Sequence, residues 1–155
     1  MKRAQDDSEL LATARSVFED KIPFVRALGF TISRLDLEQV VVSFDFREDL
    51  VGNFVRGALH GGVISAALDT SGGLVAFLNL LKRVENESAA ARTARLGNIG
   101  TIDLRIDYLR SGVGKSFHAS SHVLRAGNKV AVTRMELHND EQTLLAVGTG
   151  TYLVG

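Results

Sequence analysis

The longest apolar run in the chain, Ala58-Leu-His-Gly-Gly-Val-Ile-Ser-Ala-Ala-Leu-Asp-Thr-Ser-Gly-Gly-Leu-Val-Ala-Phe-Leu-Asn-Leu-Leu81, limits the available folds more than any other feature. It contains no Pro, Lys, Arg or Glu. A helix from His60 to Leu81 would extend roughly 33 Å at 1.5 Å per residue. Its Val63, Ile64, Ala67, Leu68, Leu74, Val75, Phe77 and Leu78 point in most directions around the axis. A helix that is apolar nearly all round is a buried one. Asp69 sits in its middle. An ionised carboxylate in such surroundings needs a partner, a wet cleft or a chemical task.

A run of this length could also span a membrane. His60, Asp69, Ser71, Asn79 and two Gly-Gly pairs inside it argue against that, because polar groups are costly in lipid. The rest of the composition points to a globular chain: 45% apolar, 23% charged, and 155 residues, the size of one domain. Eighteen Lys plus Arg balance eighteen Asp plus Glu, so no net field favours nucleic acid or an anionic membrane surface. Without Cys there is no disulfide framework, no Cys-based zinc site and no thiol nucleophile. The N-terminal Met1–Glu9 lacks the apolar region of a signal peptide, and a cytoplasmic location is expected.

Around the central run the pattern alternates between helix and strand. Ser8 is a candidate N-cap for a first helix carrying Leu10, Leu11, Ala14, Val17 and Phe18, which should end near Lys21 because Pro23 disfavours helix at Ile22. Strand pattern begins at Phe30, and in Val40–Phe46 the residues Val40, Val42, Phe44 and Phe46 share a face. Arg47 to Gly57 reads as loop. Glu85–Leu96 is polar and Ala-rich, either a helical extension or a loop. Thr101–Tyr108 alternates, with Ile102, Leu104, Ile106 and Tyr108 set against Thr101, Asp103, Arg105 and Asp107. Phe117–Leu124, Val130–Leu137 and Leu144–Leu153 complete a predicted four-stranded meander, linked by hairpins at Ser111–Gly114, Ala126–Asn128 and Asn139–Gln142. The expected class is α+β: one domain over 1–155, with an N-terminal helix in 1–22 and a curved antiparallel sheet wrapped around a central helix at 60–82.

Two features of the run carry chemistry. Gly61 and Gly62 stand at a helix start, where free N–H groups and the positive end of the dipole meet a backbone open to close approach. That is the make-up of an oxyanion hole, or alternatively a means of relieving crowding against a strand. Asp69 lies eight residues further on, about 12 Å along the axis. One chain therefore cannot bring both to a single reacting carbonyl. If both act, they come from two chains, and a two-fold axis yields two equivalent sites. Gly72 and Gly73 each cost a helix roughly 1 kcal/mol relative to Ala, which implies close packing there. His118, His122 and His138 read as outward strand residues rather than a metal site, and neither Ser65 nor Ser71 has a His–Asp relay.

Leu59-His-Gly-Gly62, an acid nine positions after the His and the later Thr101–Arg110 strand together resemble the hotdog-fold acyl-CoA thioesterases of the phenylacetate-degradation type. The resemblance runs from Phe24 to Val154, leaving out the first helix and Glu85–Leu96. It implies hydrolysis of acyl-CoA to free acid and coenzyme A without metal or cofactor, in a homodimer joined sheet edge to sheet edge, often paired into a dimer of dimers. It further implies that the Gly61 N–H polarises the thioester carbonyl and that Asp69 of the other subunit activates water or attacks directly. Thr101 matches the hydroxyl that orients the water. His60, Gly62 and Arg110 fall among substrate-binding positions, with Arg125 and Lys129 as further candidates for the phosphates. The family's Asn six residues before the His corresponds to Phe54 here, while Asn53 lies seven before; a one-residue insertion would restore it. The alternatives are a hotdog dehydratase or hydratase using His60, and a non-catalytic acyl-thioester-binding subunit.

Overall fold

The computed structural model describes residues 2–84 and 86–155. The N-terminal helix α1 runs Lys2–Ser16 and widens into a π-helical turn over Val17–Lys21. Ser8 is therefore an interior helical residue rather than a cap: no Gly or Pro precedes it to stop the helix from extending toward the N-terminus. Leu10, Ala14 and Phe18, spaced by four, are buried, and the Phe18 ring meets Phe77 of the central helix at 6.4 Å. Pro23 opens the short helix α2 (Pro23–Ala27) and holds Ile22 extended. Gly29, at φ +69°, then turns the chain into the sheet.

Strands β1 (Thr31–Leu35) and β2 (Gln39–Asp45) form a hairpin whose Val40, Val42 and Phe44 face the core, as their alternation predicts. The segment read as loop contains more structure than expected. A 3-10 turn at Glu48–Leu50 leads into β3 (Val51–Asn53), which pairs with β4 (Ala58–Leu59) just before the helix. Pieces this short leave no periodicity to read.

The central helix α3 spans Gly61–Arg83, capped by His60. It is long and apolar enough to cross a membrane, yet 72% of its most apolar window is buried within the fold. Beyond it, α4 (Ala89–Ala94) and a 3-10 turn at Arg95–Asn98 occupy the segment whose form the sequence left open. Strands β5 (Gly100–Tyr108), β6 (Ser116–Ala126), β7 (Val130–Asn139) and β8 (Leu144–Leu153) follow.

All strand pairs in the six-stranded sheet are antiparallel, in the order β1-β2-β6-β7-β8-β5. The meander is thus three strands, β6-β7-β8. The fourth, β5, lies beyond β8 at the sheet edge, so Ser111–Gly114 is a crossover rather than a hairpin. Local turn chemistry cannot distinguish the two, because both need a Gly-rich reversal. One face of the sheet closes over α3, placing Phe117, Ala119, Met135, Leu137, Leu145 and Tyr152 against it.

Gly72 shows how closely the helix approaches. A Cβ built there would lie 2.5 Å from the Tyr152 hydroxyl and 2.9 Å from Thr133 Oγ1. For Gly72→Ala, the helix-propensity gain of about 1 kcal/mol opposes an overpacking cost of about 1–3 kcal/mol. Overpacking should win. Thermal unfolding at fixed protein concentration should show a fall in Tm of about 3 °C, and a rise would mean that the space under the helix is loose.

Candidate active site

The helix start is built by its own first residues. His60 is extended, and its Nδ1 accepts the Gly62 N–H at 2.8 Å, which fills one of the donors a helix leaves open. Gly62 is therefore engaged inside the protein. The Gly61 N–H has no hydrogen-bond partner among the described residues and is the donor left to a ligand. Gly52 of β3 permits this arrangement, since a Cβ there would sit 2.6 Å from His60 Cα. The Tyr108 hydroxyl donates to the Gly61 carbonyl at 3.1 Å and fixes the loop from the β5 side.

Asp69 is half-buried, two turns along the helix. Its Oδ1 accepts from Thr101 Oγ1 at 2.9 Å and from the Tyr152 hydroxyl at 3.2 Å, and Tyr152 also reaches the Asp69 carbonyl oxygen at 3.3 Å. Thr101 reaches it because of a register shift between Thr101 and Asp103. Strict alternation would place Thr101 with the outward set. The bulge instead aligns it with Leu104, Ile106 and Tyr108, opposite the inward Tyr152, Gly150, Gly148 and Ala146. The displaced residue, Ile102, is 57% exposed.

Tyr152 is the partner of Asp69 that sequence reasoning missed. Its phenol is pushed well above its ordinary pKa, first by burial and then by the Asp69 charge and hydrogen bond, with a Thr133 hydrogen bond pulling the other way. The available signal was Gly148-Thr-Gly-Thr-Tyr152: two inward positions without Cβ ahead of an aromatic whose hydroxyl needs a partner.

The remaining expected positions divide. Asn53 closes the β3–β4 turn, its Oδ1 accepting from the Arg56 N–H at 3.2 Å. The ribbon register shifts by one residue between Val51 and Asn53, upstream of Asn53, so it leaves the seven-residue spacing from Asn53 to His60 unchanged. Arg110 follows β5 near the helix start and donates to the Leu144 carbonyl at 2.8 Å. Arg125 and Lys129 flank the β6–β7 turn at the opposite end of the sheet, about 30 Å away along a ten-residue strand. They cannot share one coenzyme with Arg110 of the same chain. A groove of about 400 Å³ opens beside the helix start, with Phe24, Leu28, Leu50, Val51 and Val63 on its apolar side and Asp49 and His60 completing it.

His118 bonds Ser43 through Nδ1 at 2.9 Å on the outer sheet face, and His138 lies 3.9 Å from Glu136. No cluster of three or more His, Asp or Glu side chains that could hold a metal occurs among the described residues.

The family model of the Thioesterase superfamily matches residues 56–146, which include α3, Asp69 and Thr101. The chain belongs to this superfamily. It is 47% identical over 147 residues to the medium/long-chain acyl-CoA thioesterase YigI of Escherichia coli (strain K12), covering 95% of each protein. That span takes in most of α1 and the Glu85–Leu96 segment, so the likeness extends beyond the Phe24–Val154 stretch on which the sequence motifs rest. A crystal structure of a Shewanella oneidensis protein related to the thioesterase superfamily superposes with a TM-score of 0.92 at 44% identity, covering 96% of this chain and 97% of the other. The Escherichia coli PaaI protein of the phenylacetic acid degradation operon shares the fold, with a TM-score of 0.75 at 20% identity over 96% of this chain and 95% of its own. The hotdog architecture expected from Leu59–Gly62 and Asp69 is thus the observed one.

Proposed function

We propose that this protein hydrolyses acyl-CoA thioesters, medium and long acyl chains among them, in an active site shared between two subunits. The supporting observation is how the site elements lie along β5. Tyr108, near one end of the strand, touches Gly61, while Thr101, near the other, touches Asp69. This strand is one of the two edges of the sheet, β1 being the other. Antiparallel pairing of β5 with a second copy reverses its direction and sets the Tyr108 end of one chain beside the Thr101 end of the other. The Gly61 N–H and Asp69 then converge across the two-fold axis, a meeting that ~12 Å of helix prevents within one chain. Association of two such dimers and a cytoplasmic location belong to the same proposal.

In this site the Gly61 N–H, at the positive end of α3, donates to the thioester carbonyl oxygen and stabilises the charge that develops there. Asp69 of the opposite subunit activates the attacking water, with Thr101 orienting the reacting groups. The tetrahedral intermediate expels coenzyme A as thiolate, which takes up a proton, and the acid departs. The acyl chain runs along the apolar side of the groove beside Val63, formed by Phe24, Leu28, Leu50 and Val51. Arg110 faces the phosphates, and Asn53 the entrance at the β3–β4 turn.

A dehydratase reading would need His60 as a base, and its Nδ1 lone pair is already taken by the Gly62 N–H at the helix cap. Thiol release from a panel of short- to long-chain acyl-CoAs tests the proposal. Thiol release favouring the longer chains is expected. An enoyl absorbance change without thiol would mean a dehydratase, and binding without either signal a non-catalytic subunit.

A further inference from the structure

Both side-chain hydrogen bonds received by Asp69 fall on one carboxylate oxygen, Oδ1. Oδ2 receives none among the described residues. A carboxylate free to rotate about its last torsion would exchange its two oxygens. Two donors from different strands, Thr101 on β5 and Tyr152 on β8, remove that freedom, and they sit directly opposite each other in the ladder. We propose that Tyr152 is a positioning residue that holds the Asp69 carboxylate by Oδ1 and thereby aims Oδ2 at the attacking water. This rests on the reading of Asp69 given under Proposed function.

The surroundings of Tyr152 are consistent with a built seat. A Cβ at Gly150 would come within 2.6 Å of its ring and hydroxyl, and one at Gly72 within 2.5 Å of the hydroxyl. The ring thus lies in a slot between β8 and α3 that exists because both positions lack a side chain. Tyr152 has only one proton to donate, shared between Oδ1 and the Asp69 carbonyl oxygen. It therefore grips the side chain and the backbone of the same residue. Burial keeps the phenol protonated, so it stays a donor wherever Asp69 is ionised. No ion pair reaches Asp69 among the described residues, which leaves two neutral hydroxyls as its side-chain partners.

Tyr152→Phe keeps the ring and removes the donor. In the intact dimer, kcat should fall ~10-fold or more while KM stays within about two-fold, because small misalignment of a reacting group acts on the chemical step. The deciding comparison is Asp69→Asn against Asp69→Asn/Tyr152→Phe, assayed at high enzyme concentration. If Tyr152 acts through the Asp69 carboxylate, the second change costs nothing further. Gly72→Ala reaches the same hydroxyl from the helix side and should lower kcat in the same selective way, which keeps the test available should Tyr152→Phe fold poorly. Wild-type kinetics for these variants would overturn the inference. So would a loss that recurs in full in the Asp69→Asn background, since that marks general damage to the fold. If Asp69→Asn alone is fully active, the reading of Asp69 fails instead, and the two failures are told apart by that one variant.

Discussion

Asp69→Asn should lower turnover of a preferred acyl-CoA by ~10²-fold or more, the usual contribution of a positioned base or nucleophile. The amide has the size of the carboxylate and can still accept from Thr101 and Tyr152 through its oxygen. Folding and dimerisation should therefore survive. Far-UV circular dichroism, Tm and size-exclusion elution should match those of the wild type. Activity within a few-fold of wild type would remove Asp69 from the mechanism and leave it a half-buried acid satisfied by two hydroxyls.

The second expectation concerns two inactive proteins that become active when mixed. Gly61→Val crowds the one helix-start donor left to a ligand: a Cβ there already meets the Tyr108 ring at 3.4 Å. The added methyl groups stand where the thioester carbonyl would approach. Mixed with Asp69→Asn under conditions of subunit exchange, equal amounts give half heterodimers if pairing is random. In each heterodimer one site carries both defects, and the other joins an intact Gly61 to an intact Asp69. Recovery to roughly a quarter of wild-type activity follows from that symmetry. Mass measurement establishes that exchange has occurred. Background activity in a mixture containing heterodimers would overturn the cross-subunit site and, with it, the main reason for calling Asp69 catalytic.

Much of this protein was legible from residue order because the controlling signals are local and periodic. A long, predominantly apolar run followed by Lys82 and Arg83 and broken by a few polar groups reads as a buried helix of a globular domain. Strict alternation in Val40–Phe46 and Val130–Leu137 makes half-buried strands. The eight-residue separation of Gly61 from Asp69 carries its own geometry, since the rise of a helix does not depend on the fold, and that rise is enough to require two chains if both residues act on one carbonyl. The space implied by Gly72 was legible too, because a helix tolerates such a residue when something comes close.

Only the tertiary structure decided what comes close. Tyr152 lies 83 residues from Asp69 in the chain, and nothing local announces their hydrogen bond. The face of Thr101 was decided by a one-residue bulge, which reverses the alternation that a period of two would continue. The place of β5 at a sheet edge, rather than beside β6, depends on which strand it pairs with. That choice rests on long-range hydrogen bonds and burial over α3, while the Gly-rich connection after β5 serves either topology equally well.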